Sequence, residues 1–107
     1  MNSFYSEKEL KQLGFQSYGK NVLISRFARF YGAENMVIGD SVRIDDFCIL
    51  SGKITIGSYV HISAMSCLYA GSTGIVLEDY SGISPRCVLH AESDDFSGEY
   101  MTNSMVP

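Results

Sequence analysis

Positive charge is scarce in this sequence of 107 residues, which has eight lysines and arginines against twelve acidic residues. The formal net charge is −4, and the basic residues are scattered along the chain instead of being gathered in one stretch. Nucleic-acid-binding domains ordinarily carry a basic patch that neutralises phosphates. We therefore expect no nucleic-acid partner for this protein.

Long apolar segments are also missing. No run approaches the roughly 18 residues of a membrane-spanning helix, and no basic start is followed by an apolar stretch of the kind that directs secretion. Three cysteines without a C-x-x-C spacing predict no disulfide framework, and no histidine cluster has metal-ligand spacing. These features favour a cytoplasmic protein with reduced cysteines, no membrane association and no metal.

What the sequence does contain is an aliphatic residue at every sixth position. A step of six matches neither the 3.6-residue period of a helix nor simple strand alternation. It is typical of short strands separated by turns, as in a parallel β-helix built from hexapeptide units. The spacing therefore predicts an all-β fold in which three hexads make one triangular coil. These anchor residues are Ile38, Ile44, Leu50, Ile56, Ile62 and Leu68 and, after three inserted residues, Leu77, Ile83 and Leu89.

A second, small or branched residue lies two positions before most anchors and is expected to point inward. Cys48, Ser66 and Cys87 occupy this place in their hexads. The two cysteines are therefore expected to be buried, reduced thiols that act as small apolar residues, whereas Cys67 is expected at the surface. The three inserted residues fall in the segment 71–74, which is expected to form a loop at a corner of a coil.

A short capping helix is predicted ahead of the repeats, at about residues 7–13. Ser6 and Glu9 have the spacing of a capping box, and Gly14 is a natural residue to end the helix. So short a helix is not stable alone. Its apolar residues, Leu10 among them, are expected to pack on the end of the β-helix and to cover that end.

The chain is short enough for one domain only. After Asp94 the six-residue step stops, and the residues that follow contain no hexads. We expect a capping helix and lead-in over residues 1–20, β-helix coils over 21–94 and an excursion loop with a tail over 95–107.

Several stretches of the sequence resemble a known family. They are residues 6–15, 19–25, 42–48 and 93–100. Together with the hexads, they resemble the left-handed β-helix, hexapeptide-repeat acyltransferases, and within that family the bacterial sugar acetyltransferases of polysaccharide-gene type. The resemblance covers nearly the whole chain but only the N-terminal half of such an enzyme. The left-handed winding of a parallel β-helix is implied by this resemblance alone.

The resemblance implies a homotrimer with active sites between neighbouring subunits. Acetyl-CoA would be the donor, and the acceptor would be a sugar, such as a nucleotide-linked amino sugar, used in surface polysaccharide synthesis. A general base would take a proton from the acceptor hydroxyl or amine as it attacks the thioester. Family members continue with further hexads that form much of the acetyl-CoA groove. A second hypothesis is therefore a truncated, catalytically inactive β-helix trimer without the acetyl-CoA-binding coils.

His90 and Asp94 are the candidate catalytic residues. His90 directly follows an anchor and is expected to point outward, where its imidazole could act as the general base; the alternative is an ordinary surface histidine. The resemblance places the base nearer to Asp94 than to His90. Asp94 and Asp95 stand where the coils end, and one of them could hold or deprotonate an acceptor amine. The alternative is a turn acid that binds local backbone N–H groups.

Arg43 and His61 are the candidate substrate-binding residues, together with Asp95. Arg43 and His61 occupy equivalent places in successive coils and are expected to face outward. There they would line a groove for the sugar or phosphate groups of an acceptor. The adjacent acids Asp45 and Asp46 are a possible acceptor-binding pair. The alternative for Arg43 and His61 is a solvated face, and the alternative for Asp45 and Asp46 is a polar corner.

Overall fold

The computed structural model describes residues 3–91. Its elements are one α-helix, one 3₁₀ helix and short strands, and no helix among the described residues is long and apolar enough to cross a bilayer. In chain order they are α1 (Glu7–Gln12), β1 (Ser17–Tyr18), β2 (Leu23–Ile24), β3 (Arg29–Tyr31), the 3₁₀ helix (Ala33–Asn35), β4 (Met36–Ile38), β5 (Arg43–Ile44), β6 (Ile49–Ile56), β7 (His61–Ile62), β8 (Cys67–Leu77), β9 (Gly82–Ile83) and β10 (Val88–His90).

The strands stack in parallel as successive coils pass over the same faces. One sheet has the order β2–β5–β7–β9, and the other runs β1–β4–β6–β8–β10 with β3 paired to β6. Strand β6 contributes to two faces, because its first residues pair with β3 and its last residues pair with β4. The predicted all-β, parallel β-helix is confirmed.

The aliphatic anchors form the core of this β-helix. The six anchors from Ile38 to Leu68 are each at most 2% exposed, and Ile83 and Leu89 in the last described coil are partly buried against them. Equivalent anchors are paired from coil to coil, as Ile44 is with Ile62. Because neighbouring strands lie about 4.8 Å apart, each column of anchors forms one continuous apolar stack.

The small inward residues also lie where the hexads predict. Cys48 and Ser66 are fully buried, and Cys87 is half-buried. All three cysteines are free, and Cys67 is partly exposed. Burial raises the pKa of the Cys48 thiol, which favours the neutral, unreactive form expected of a cysteine that fills space in a core.

The three-residue insertion does not form the expected corner loop. It is taken up within strand β8 at two irregularities in the pairing with β6. The successive pairs are Ser51 with Tyr69, Gly52 with Gly71 and Ile54 with Ile75, so β8 advances by two and then four residues where β6 advances by one and then two. The backbones approach closely there, because a Cβ on Gly52 would lie 2.4 Å from the amide nitrogen of Gly71. Bulges of this kind keep the remaining ladder in register.

The predicted capping helix is confirmed, and its first turn carries the capping box. Ser6 Oγ accepts a hydrogen bond from Glu9 N at 3.2 Å, and Glu9 Oε1 accepts one from Ser6 N at 2.8 Å. Glu9 also pairs with Arg26. The hydrogen bonds from Arg26 and Ser6 lower the pKa of Glu9 to about 2. The helix ends before Gly14, whose φ is 85°, and Leu10 packs into the core.

The residues before the helix cover the free edge of strand β2. Phe4 forms an antiparallel bridge with Ser25, and Tyr5 N donates to Ile24 O at 2.9 Å. Arg26 N donates to a carbonyl of the same N-terminal segment. An uncovered edge would expose unpaired backbone groups and invite pairing with another chain. The excursion loop predicted for residues 95–107 lies outside the described residues, and the boundaries at residues 20 and 94 stay predictions.

We expect Ile56→Ala to lower the free energy of unfolding by about 2–5 kcal/mol, because it removes a fully buried side chain and leaves a cavity. Thr55→Ala is the matched control, since Thr55 is the preceding residue of β6 and is exposed. The control should change stability by no more than about 0.5 kcal/mol. Urea unfolding followed by circular dichroism measures both, and equal losses would contradict the alternation of inward and outward residues.

Candidate functional site

The four-stranded sheet β2–β5–β7–β9 carries two columns of outward residues. Between them runs the inward column of isoleucines, and every strand of the sheet contributes one residue to the first outward column and one isoleucine to the inward column. The first outward column is Leu23, Arg43, His61 and Gly82. The second column directly follows the isoleucines and includes Asp45, Ser63 and Ser84. This sheet therefore brings the candidates Arg43, His61 and Asp45 onto one face.

Asp45 joins Arg43 and His61 into one hydrogen-bonded cluster. Its Oδ1 accepts from Arg43 Nε and its Oδ2 lies against His61 Nε2, both at 2.8 Å. The side chain of Asp45 is 21% exposed, while those of Arg43 and His61 are 54% and 50% exposed. Asp45 thus lies beneath the other two and fixes the orientation of a guanidinium and an imidazole on the surface. The predicted equivalence and outward direction of Arg43 and His61 are confirmed.

The charge state of Asp45 follows from two opposing effects. Partial burial disfavours its ionised form, but the hydrogen bonds from Arg43 and His61 outweigh burial and lower the pKa of Asp45.

The bond to Asp45 uses only Nε of Arg43. An arginine has five N–H donors. Within residues 3–91, the donors on the two terminal nitrogens of Arg43 form no hydrogen bond. Arg43 also stacks over the ring of Phe4, at 5.6 Å from the ring centroid.

Buried polar groups fix the backbone beneath the second column. Ser66 Oγ donates to the carbonyl oxygen of Ser84 at 2.9 Å, and the same hydroxyl accepts a hydrogen bond from Cys87 N. In the preceding coil, the Cys48 thiol donates to the carbonyl oxygen of Ser63 at 3.1 Å. The inward small residues therefore hold in place the turns that follow Ser63 and Ser84.

His90 lies on a different sheet from the Arg43–Asp45–His61 cluster. It pairs with Tyr69 of β8, and the two rings stack with centroids 5.2 Å apart. Within residues 3–91 of this chain, the fold therefore does not bring His90 together with Arg43 and His61. A catalytic role for His90 stays a prediction.

The acidic candidates fall into separate places. Asp46 does not form a pair with Asp45, because it accepts a hydrogen bond from Ser25 Oγ at 2.5 Å while Asp45 binds Arg43 and His61. Ser25 is fully buried, so Asp46 has a structural partner. Asp94 and Asp95 lie outside the described residues, and their catalytic and substrate-binding roles stay predictions.

Comparison with known proteins agrees with this architecture. A family model described as bacterial transferase hexapeptide (six repeats) matches residues 35–70. The dTDP-4-amino-4,6-dideoxy-D-glucose acyltransferase of Escherichia coli is 43% identical over 108 residues, which cover 98% of this chain and 56% of that protein.

Residues 35–70 of this chain carry the repeats of the hexapeptide-repeat transferase family.

Solved structures of AntD, an N-acyltransferase from Bacillus cereus, match the whole fold. The complex of AntD with dTDP and 3-hydroxybutyryl-CoA is 55% identical, with a TM-score of 0.85, and the match covers 100% of this chain and 57% of AntD. The S84A variant of AntD, in complex with dTDP-4-amino-4,6-dideoxyglucose and coenzyme A, has 54% identity and a TM-score of 0.84 over 100% of this chain and 57% of AntD. The D94N variant, with dTDP and coenzyme A, gives the same identity and TM-score over 99% and 57%. This hexapeptide-repeat chain thus spans little more than half the length of the relatives it matches.

The sequence-based search did not select Ser84 and Gly82, which share the two outward columns with Asp45 and Arg43. The signal that could have found them is the coil length, which is 18 residues in the regular coil and 21 in the coil with the insertion. Adding 18 and then 21 to Asp45 leads to Ser63 and Ser84 in the same column. The same steps from Arg43 lead to His61 and then to Gly82.

We expect the pKa of Asp45 to lie below the ordinary aspartate value of about 4 and to rise in an Arg43→Met variant, which loses the larger of the two hydrogen-bond effects. Because the pKa is lowered in the folded state, the stabilisation is complete above about pH 4 and is lost as the pH falls through the lowered value. Carboxyl-carbon NMR titration measures this pKa directly. Arg29→Met, on the other sheet, is the control and should leave it unchanged. An ordinary Asp45 pKa in the unsubstituted protein would contradict the cluster.

Proposed function

We propose that this chain provides the acceptor-binding face of an acyl-CoA-dependent N-acyltransferase that acts on a nucleotide-linked amino sugar. The observation that carries the proposal is the face of the four-stranded sheet, where Asp45 orients Arg43 and His61 in the same surface as Ser84. The 54–55% identity to AntD over the chain supports the choice of nucleotide-sugar acceptor and acyl-CoA donor. Acetyl-CoA is the donor expected from the sequence, and AntD has been solved with 3-hydroxybutyryl-CoA, so acyl-CoA is the donor class.

Arg43 and His61 are proposed to hold the nucleotide-sugar. The terminal nitrogens of a guanidinium match the oxygens of a phosphate group and form charge-assisted hydrogen bonds with them. Asp45 keeps Arg43 from turning into solvent, so less side-chain freedom is lost when a ligand binds. The half-exposed imidazole of His61 adds a polar group beside the guanidinium. We assign Arg43 to the phosphate groups and His61 to the sugar side of the same ligand.

The proposed reaction joins the acceptor amine to the acyl group. The neutral amine nitrogen attacks the thioester carbonyl carbon, a C–N bond forms, the C–S bond breaks and coenzyme A leaves as its thiolate. The nitrogen loses one proton, and Asp94 is the proposed group that accepts it. The S84A variant of AntD has been solved with dTDP-4-amino-4,6-dideoxyglucose and coenzyme A, and the D94N variant with dTDP and coenzyme A. This chain has Ser84 and Asp94 at the same numbers. We assign the Ser84 hydroxyl to a hydrogen bond with the acceptor amine.

The assembly and cellular setting are part of the proposal. A homotrimer would place the exposed sheet face of one subunit against its neighbour and enclose the ligand between them. The free cysteines are compatible with the reducing cytoplasm, where acyl-CoA donors are made. Surface polysaccharide synthesis is the process we propose for the acylated sugar. Asp95, as a further acceptor-binding residue, and His90, as an alternative base contributed from another face, also remain proposals.

A second candidate function is acceptor binding without acyl transfer. The observation that favours it is the coverage, because the chain spans 57% of AntD and AntD is the protein solved with coenzyme A. Calorimetric titration with dTDP and with acetyl-CoA distinguishes the two candidates. Binding of both, together with release of free thiol when dTDP-4-amino-4,6-dideoxyglucose is added, supports the transferase. Binding of dTDP alone supports the second candidate, and binding of neither contradicts both.

We expect Arg43→Met to weaken dTDP binding by about 10- to 100-fold, which corresponds to the loss of roughly 1.5–3 kcal/mol for hydrogen bonds to a charged group. Arg29→Met removes an exposed arginine from the other sheet and serves as the matched control. Titration calorimetry measures both dissociation constants. Equal affinities for dTDP in the two variants would place the nucleotide elsewhere.

We expect Asp94→Asn to lower the rate of acyl transfer by about 100-fold or more, because the amide cannot accept the amine proton. Affinity for dTDP should remain within about twofold, since the nucleotide is assigned to Arg43. His90→Gln is the parallel variant. A rate that falls in His90→Gln but not in Asp94→Asn would assign the base to the histidine instead.

A further inference from the structure

Gly82 is a glycine that neither its backbone nor its packing requires. Its φ lies outside the positive range that favours glycine, unlike that of Gly52 at 94°. A Cβ built on Gly82 would meet only the carbonyl oxygen of His61, at the ordinary contact distance of 3.7 Å. A larger residue would therefore fit the strand itself.

A glycine within a strand has a cost, because it loses more conformational freedom on folding than other residues and has no side chain to pack. Gly82 takes the place in the third coil that Arg43 and His61 take in the first two. An unforced glycine in a strand often marks a place where a ligand or another backbone approaches closely. Gly82 therefore differs from Arg43 and His61 in that no side chain fills the space above its backbone.

The neighbours of Gly82 leave this space open and give it polar sides. The ring of His61 bonds to Asp45, which belongs to the preceding coil, and so it is directed away from Gly82. Ser84 follows two residues after Gly82 on the same side of the strand, about 7 Å further on. It is exposed, and its carbonyl is held by the buried Ser66. The result is an open stretch of surface above Gly82, which we term the gap, with His61 in the neighbouring strand on one side and Ser84 on the other.

We infer that Gly82 is a specificity-determining residue whose missing side chain seats the sugar ring of the acceptor between His61 and Ser84. This inference rests on the proposed function and names the position of the sugar within it. The ring carries the amine, which belongs beside Ser84, and the diphosphate extends toward Arg43. The gap therefore sets how bulky an acceptor can be at the ring, while the nucleotide part is held by other groups.

The test compares two ligands on three variants. Gly82→Leu fills the gap, Gly82→Ala fills it in part, and Thr55→Leu places a leucine side chain at an exposed position on a different face. Titration calorimetry with dTDP-4-amino-4,6-dideoxyglucose and with dTDP gives the dissociation constants. We expect Gly82→Leu to weaken binding of the nucleotide-sugar by about tenfold or more, as a built-in steric clash does, and to change dTDP affinity by less than about twofold. Gly82→Ala should fall between, and Thr55→Leu should resemble the unsubstituted protein.

Each other outcome is decisive in a different way. If the unsubstituted protein binds neither dTDP nor the nucleotide-sugar, both the proposed function and this inference are overturned. If Gly82→Leu and the unsubstituted protein bind the nucleotide-sugar with equal affinity, this inference is overturned and the proposed function is not. If Gly82→Leu binds neither ligand and its molar mass, measured by light scattering, differs from that of the unsubstituted protein, the gap would be assigned to a contact between copies of the chain. That result would overturn the sugar site. Melting temperatures at or above that of the unsubstituted protein confirm that each variant is folded.

Discussion

The rest of the structure depends on the parallel, in-register stacking of the coils. Backbone hydrogen bonds hold neighbouring strands about 4.8 Å apart, so a residue lies directly beside its equivalent in the next coil. A slip of one residue would turn every anchor to the surface. The ladder between β6 and β8 shows how strictly this is kept, because three inserted residues are absorbed where Gly52 meets Gly71 and the pairing resumes with Ile54 beside Ile75.

The same stacking builds the candidate site. Residues 16 to 39 positions apart, such as Asp45, His61 and Ser84, come onto one face because their coils pass over it in turn. The rigidity of that face comes from inside the prism, where Ser66 and Cys48 bind the carbonyls of the turns. Polar groups held by packed strands and buried hydrogen bonds keep their geometry better than groups on free loops. A ligand would meet a surface that is already arranged.

Much of this could be predicted from the sequence, because the period of six fixes which residues face inward. The period predicts the burial of the anchors and of Cys48, and the outward direction of Arg43 and His61. The capping box predicts the position of the helix. The period does not state which side chains bond to each other. Asp45 and Asp46 are neighbours in sequence, yet their partners differ. Asp45 binds Arg43 and His61, whereas Asp46 binds Ser25. The turn between β9 and β10 likewise directs His90 to another face, and the small size of Gly82 gives no signal until the columns are aligned.

The most direct test of a nucleotide-sugar site on the four-stranded sheet is a crystal structure of this protein with dTDP-4-amino-4,6-dideoxyglucose bound. The ligand should lie along the face of β5, β7 and β9, with its diphosphate at Arg43 and its sugar ring over Gly82 beside Ser84. A ligand bound instead against Tyr69 and His90 on the other sheet, with the Arg43–Asp45–His61 cluster left in solvent, would contradict the assignment of that face.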